Sequence, residues 1–234
     1  MSTATVSGIG LAALWRLLSL GFASPTEETL AEVELLADGI AEVGGPPEVA
    51  DVLALVRETE PAELSAQYSR LFRGTVRVSP YEGGYELDPI RQGRQMADVA
   101  AFYRAFGAEA HGPSVDRPDF VGCELEFLSF VELRYLAALE AEEDGAELVD
   151  EIGTAFLADH AGRWLPTFFA AVSEEAAADR FYRALAELGL RIVEDELSRR
   201  GVEPLPLPRR TTRSSMEGDA LECGGAQAVR ADSF

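Results

Sequence analysis

The 234-residue sequence contains no lysine: all 20 of its basic residues are arginine. That absence excludes lysine Schiff-base chemistry and any phosphate loop that depends on a lysine. Cysteine is nearly as scarce. Cys123 lies in an apolar helical pattern and Cys223 in a polar tail, which excludes a disulfide framework and argues against a bridge between them. The two histidines, His111 and His160, stand apart from each other and from both cysteines, so no Cys/His group has zinc spacing. Long apolar runs are also missing, and no stretch approaches the roughly 18 uninterrupted apolar residues of a membrane span. The N-terminal run from Gly8 to Leu18 has no positive charge before it and carries Arg16 inside it. It reads as a first core helix with Leu11, Leu14, Trp15 and Leu18 on one face, not as a secretion signal. A cytoplasmic protein is expected.

Sustained period-two alternation is absent as well. Thr75 to Val78 is a short exception that reads as loop. What the chain has instead is helical periodicity, with helices expected over about 8–22, 26–43, 47–58, 61–73, 93–107, 118–143, 145–161, 164–173 and 175–200. The fold class is therefore all-α: a single helical-bundle domain of about nine helices over residues 1–208. Pro61 suits a first helical turn, Gly44-Gly45-Pro46-Pro47 separates the second helix from the third, and Gly201 follows the last. Residues 74–92 and 107–118 form two Gly/Pro-containing loops. Tyr81 and Tyr85 in the first suit either binding or anchoring the loop to the core. After the extended Glu203-Pro204-Leu205-Pro206-Leu207-Pro208 segment, residues 209–234 lack apolar periodicity and read as a disordered tail.

The net charge is −21. The tail carries four arginines (Arg209, Arg210, Arg213, Arg230) against four acids (Glu217, Asp219, Glu222, Asp232), so the whole imbalance belongs to residues 1–208. A field of this sign opposes nucleic-acid binding, which needs basic patches, and favours a basic partner. A saline cytoplasm or a GC-rich genome would produce the same composition with no message about partners. Both readings stay open. Catalytic motifs are wanting: there is no Gly-x-Ser-x-Gly elbow and no Gly-rich loop after a strand. No enzyme is expected.

Three segments carry more signal. Tyr68-Ser69-Arg70-Leu71-Phe72-Arg73-Gly74 ends an apolar helix face and leads to Ser79-Pro80-Tyr81-Glu82-Gly83-Gly84-Tyr85. Arg117-Pro118-Asp119-Phe120 opens a helix that is apolar on several faces and contains Glu124-Leu125-Glu126-Phe127. Asp119 is either a plain helix cap or a binding residue. Glu124, on a stripe with Leu128, Val131 and Tyr135, is either paired with an arginine or aimed into a groove. In the third segment Phe156, His160, Trp164 and Phe168 recur every four residues, and Gly162 and Pro166 are expected to divide it into two helices. His160 reads as a packed or capping residue before a metal ligand.

Taken together, these segments resemble the TorD/DmsD/NarJ family of redox-enzyme maturation chaperones over about residues 10–200. The shared features are a Tyr-x-x-Leu-Phe-x-Gly helix end, a Pro-Tyr-Glu loop, a Pro-Asp helix start running into Glu-Leu-x-Phe, and a Phe-Leu-x-x-His-x-x-x-Trp segment. The Pro80-Tyr81-Glu82 loop and Glu124 to Phe127 look most like the branch serving type II dimethyl-sulfoxide-reductase-like molybdoenzymes. Phe120 departs from the His that usually follows Pro-Asp, and Gly83 from the residue, often Ser, after Pro-Tyr-Glu. The resemblance implies a TorD-like helical fold and a cytoplasmic assembly chaperone. Its partner would be the catalytic subunit of a molybdopterin oxidoreductase, bound through its twin-arginine leader, as the apo form, or both, until the cofactor is inserted and the subunit is exported. The peptide site it implies comprises Tyr68, Phe72, Pro80, Tyr81, Glu82, Tyr85, Asp119, Glu124, Phe127, His160 and Trp164, with no cofactor and no metal on the chaperone itself. A chaperone of the mature subunit of a nitrate-reductase-type enzyme is the alternative within this class. A helical nucleotide-binding hydrolase is the alternative outside it.

Overall fold

The computed structural model of the chain describes residues 8–108, 117–141 and 145–209. These hold nine α-helices: α1 (Gly8–Gly21), α2 (Glu27–Glu42), α3 (Pro47–Glu58), α4 (Pro61–Phe72), α5 (Pro89–Ala105), α6 (Val121–Glu140), α7 (Ala146–Phe156), α8 (Gly162–Glu175) and α9 (Arg180–Arg200). Among the described residues no strand forms, and the single isolated β-bridge joins Tyr81 to Phe120. The all-α expectation of about nine helices stands.

Punctuation explains most boundaries. Pro47, Pro61 and Pro89 occupy first helical positions, where the missing N–H costs nothing. Thr26 caps α2 in a reciprocal box with Thr29, and Gly201 closes α9 at φ 65°, a left-handed conformation that glycine adopts without strain. Asp88 accepts from the Ile90 N–H at 2.8 Å and starts α5 four residues earlier than periodicity alone suggests. At α6 the expected start at 118 moves to Val121, because Phe120 is held in the bridge to Tyr81. The last helix begins at Arg180, not 175, because α8 continues to Glu175.

The expected division at Gly162 and Pro166 does not occur. Helix α7 passes through one π turn, Leu157–Ala161, directly into α8, and Pro166 lies inside that helix. A Cβ at 162 would meet the Leu157 carbonyl oxygen at 2.4 Å. The glycine read as a break is what lets the backbone wind through the wide turn. π turns of this kind displace side chains from the regular helical register, and here the displaced residues include His160.

The core forms where α1 packs along α6, α8 against α9, and α3 against α9. Trp15, Phe22, Phe156, Trp164, Phe168, Phe169, Phe181 and Tyr182 are all fully buried, each contributing roughly 1.5–3 kcal/mol or more through area removed from water. Phe22 meets Phe168 edge-on at 5.2 Å and Phe72 at 6.2 Å. Gly189 on α9 admits the Phe169 ring, which a Cβ would strike at 2.7 Å. After α9 the extended segment folds back over α8: the Leu207 N–H donates to the Arg163 carbonyl at 2.7 Å, Thr167 Oγ1 donates to the Leu207 carbonyl at 2.9 Å, and Leu207 is buried. Arg209, assigned from sequence to the tail, pairs with Glu174 at 2.5 Å and Glu175 at 2.7 Å. The remainder of the expected tail, with Cys223, lies outside the described residues, as does His111. No described helix is long and apolar enough to cross a membrane.

Candidate functional site

The loop after α4 is tied to the start of α6 through the backbone. The Glu82 N–H donates to the Asp119 carbonyl and the Val121 N–H to the Pro80 carbonyl, both at 2.9 Å. Side chains lock the same junction. The Asp119 carboxylate accepts from the Gly83 N–H at 3.1 Å and from Arg117 through Nε at 2.9 Å and Nη2 at 2.6 Å. The Arg117 guanidinium also lies over the Tyr81 ring, 4.8 Å from its centroid. Asp119 is therefore not a helix cap. Phe120 occupies that position, with no side-chain cap bond.

Beneath this clamp lies a buried polar cluster. Glu82 points inward from a single 3₁₀ turn, Glu82–Gly84. One of its carboxylate oxygens accepts from the Gln95 amide, and the other faces His160 Nδ1 at 3.3 Å. Glu124 Oε2 accepts from the Trp164 indole N–H at 2.8 Å, while Oε1 has no hydrogen-bond partner. The arginine partner expected for Glu124 is absent, and Trp164 takes its place. Glu82, Asp119 and Glu124 are all wholly shielded from solvent. Burial, and then the negative charge of Glu82, push the Glu124 carboxyl well above the ordinary carboxylate range; Asp119 adds to this, and the Trp164 bond partly opposes it. The same burial raises the Tyr103 hydroxyl, which donates to the Pro118 carbonyl at 2.8 Å.

The surface holds two openings. A cavity of about 490 Å³ lies between α5 and the π turn, with Gln95, Phe102, His160, Arg94 and Arg163 in its wall. Separately, an apolar groove of about 660 Å³ runs along α1 and α6, bounded also by Leu36 on α2 and by Tyr103 and Ala108 at the end of α5. Ala12, Ala13, Cys123, Phe127, Phe130 and Leu133 line it, and Leu133 is half exposed. At its mouth Arg16 bridges Glu126 on α6 and Glu32 on α2.

Of the eleven residues expected in a peptide site, ten are buried, and Tyr81 alone is partly open. Pro80, Tyr81, Glu82, Asp119, Glu124, His160 and Trp164 converge on the clamp and the cluster beneath it. Tyr85 joins them through its ring, 5.4 Å from Trp164, and its hydroxyl donates to the Ser79 carbonyl. Phe127 packs on Phe156 at 4.7 Å and also lines the groove. Tyr68 and Phe72 belong instead to the aromatic core around Phe22, Phe168 and Tyr182. Sequence reasoning missed Gln95, Arg117 and the groove residues on α1. Only Arg117 carried a signal, lying two residues before Asp119 in a non-helical stretch.

Residues 28–170 match the family model described as nitrate reductase delta subunit. The chain is 34% identical over 155 residues to the chlorate reductase assembly chaperone protein of Ideonella dechloratans, covering 64% of this chain and 75% of that protein. It is 34% identical over 149 residues to the selenate reductase assembly chaperone protein of Thauera selenatis, covering 63% and 74%. Its fold is similar to a crystal structure from Archaeoglobus fulgidus described as a redox enzyme maturation protein, with TM-score 0.56, 22% identity, and 78% and 93% of the two chains covered. Motifs, fold and matched residues agree, and the chain belongs to the nitrate reductase delta subunit family, the TorD/NarJ-like group of assembly proteins.

Proposed function

We propose that this protein is an assembly chaperone acting by binding rather than catalysis. In this reading it holds the twin-arginine leader of a molybdopterin oxidoreductase catalytic subunit in the cytoplasm until the cofactor is inserted. The groove between α1 and α6 carries the proposal. A twin-arginine leader is basic and then apolar, and a helix-in-groove receptor with acids at its edge complements it. From Cys123 to Leu133 the groove follows α6 for about 15 Å at 1.5 Å per residue, which suits an apolar segment of roughly 7–15 residues. The Asp119–Tyr81 clamp lies just before the Cys123 end of α6. It would take the arginines while Phe127, Phe130 and Leu133 take the apolar part. Glu82, Glu124, His160 and Trp164 support the clamp from beneath, and Tyr68 and Phe72 lie in the aromatic core. Glu32 and Glu126 at the mouth are already bridged by Arg16, so the rim offers exchangeable ion pairs.

Calorimetry with a synthetic leader peptide tests this. The expected affinity is around micromolar, about −8 kcal/mol, falling as salt screens the arginine contacts. Replacing Leu133 by Asp, at a half-exposed position, should leave the fold intact and weaken binding at least tenfold. A leader that fails to bind at low salt refutes the proposal, as does Leu133→Asp with unchanged affinity. The family name favours one further reading, in which the groove takes a segment of a mature nitrate-reductase-type subunit. Binding of such segments without binding of the leader would establish that reading instead.

A further inference from the structure

The Asp119 carboxylate and the Tyr81 ring form a receptor for a guanidinium group. The carboxylate is planar and bidentate toward Nε and Nη2, and the ring offers its face. Those two features select arginine over lysine, whose ammonium is a point charge without a fork. The receptor is already filled. The Asp119 side chain is 1% exposed and the Arg117 side chain 50% exposed, so Arg117 covers the carboxylate from the solvent side. Asp119 also accepts the Gly83 N–H. With two bonds to Arg117 and one to the backbone, it has little capacity left for a second guanidinium.

Gly83 makes this arrangement possible. A Cβ at position 83 would stand 3.0 Å from Asp119 Oδ2 and 3.2 Å from Arg117 Nη2, tight against the group that now lies there. Asp119 is buried, whereas the guanidinium is half exposed. Its release gives up two charge-assisted bonds and a ring contact, so only a group that remakes them can replace it.

We infer that Arg117 is a built-in occupant of a guanidinium site, and that an arginine of the leader docks by displacing it. The inference builds on the leader reading above and adds a threshold to it. Because Arg117 lies two residues from Asp119, it competes at high effective concentration. A leader engages only when its apolar segment, held in the adjacent groove, supplies the remaining affinity. Apolar segments without arginine gain nothing at Asp119, and isolated arginines cannot outcompete Arg117.

The test is calorimetry on the full chain with two peptides, the twin-arginine leader and the same leader with both arginines changed to lysine. Arg117→Ala should bind the arginine peptide on the order of tenfold tighter, about 1.4 kcal/mol, with the lysine peptide nearly unchanged. Arg117→Lys, which keeps the charge but lacks the planar fork that fits the carboxylate, should give a smaller gain in the same direction. Melting curves accompany both variants, and Arg117→Lys decides the matter if Arg117→Ala does not fold. Weaker or equal binding of the arginine peptide by the folded variants overturns the inference and leaves Arg117 a positioning residue for Asp119. An equal gain for both peptides also overturns it, since the effect is then net charge alone. Either result leaves leader binding by the unmodified chain intact. Absence of leader binding by the unmodified chain and by both variants rejects the leader reading and the inference with it.

Discussion

Replacing Glu124 by Gln should stabilise the protein progressively as the pH rises. Glu124 is wholly buried, one of its oxygens accepts from Trp164, and the other has no partner. Burial and the neighbouring Glu82 and Asp119 raise its carboxyl far above the ordinary range. The folded chain therefore keeps a proton that the unfolded chain releases near pH 4.3, the value of a free glutamate. A raised value sets the sign: this group's contribution is fully present below about pH 4.3 and is lost as the pH climbs toward the folded value. The slope is at most about 1.4 kcal/mol per pH unit for one proton. Glutamine keeps an oxygen for the Trp164 N–H and has no proton to lose. Between pH 5 and 7 the stability of Glu124→Gln relative to the unmodified chain should rise by up to about 2.7 kcal/mol. Urea unfolding of both proteins at pH 5, 6 and 7, with matched m-values, measures the difference. Acids remote from the cluster titrate alike in both chains and cancel. A difference that stays flat with pH, or falls, would refute the argument, because it would mean that Glu124 is ionised in the fold. Loss of a protonated-carboxyl band from the infrared spectrum of the variant is an independent readout.

Two further outcomes follow from the packing. Arg200 is buried among Glu196, Glu132 and Asp150, at 2.7 Å from the last. Arg200→Met strands the buried carboxylate of Glu132, while Glu196 keeps Arg199, and should cost about 3 kcal/mol, read as a fall in the urea midpoint; a change under 1 kcal/mol would mean water replaces the pair. A chain ending at Arg209 should melt with the full-length protein. One ending at Pro204 loses the buried Leu207, worth roughly 2 kcal/mol, and should melt roughly 5 °C lower. Equal melting of the two truncated chains would contradict the packing of this segment on α8.

The helices were legible because their signals are local. Apolar spacing, the prolines at 47 and 61, and Gly201 each act within a turn or two of the residue concerned. Where the reading failed, a contact from elsewhere outweighed the local signal. Phe120 fits a helix by pattern, yet the bridge to Tyr81 delays α6. Gly162 fits a break, yet the π turn needs it. The site divides along the same line. Residue types and motif order gathered Tyr81, Glu82, Asp119, Glu124, His160 and Trp164, and the fold does bring them together. Their roles depended on partners far along the chain. Trp164 is 40 residues from Glu124, and Gly83 is 36 from Asp119; no spacing rule names either pair.

The groove was the least legible feature for a different reason. Ala12, Ala13 and Phe130 have the composition of core positions, and a helix pattern reports that a face is apolar without reporting what covers it. The adjacent clamp has the opposite character, since its carboxylate is sealed and its guanidinium half open. In the proposed reading, an apolar trough open among the described residues and a charged receptor already filled make two different demands on one ligand. That ligand would bring apolar length, which this chain does not supply among its described residues, and a guanidinium able to replace one that the chain does supply. A peptide with adjacent arginines ahead of an apolar stretch meets both demands, whereas a purely apolar or purely basic segment meets only one.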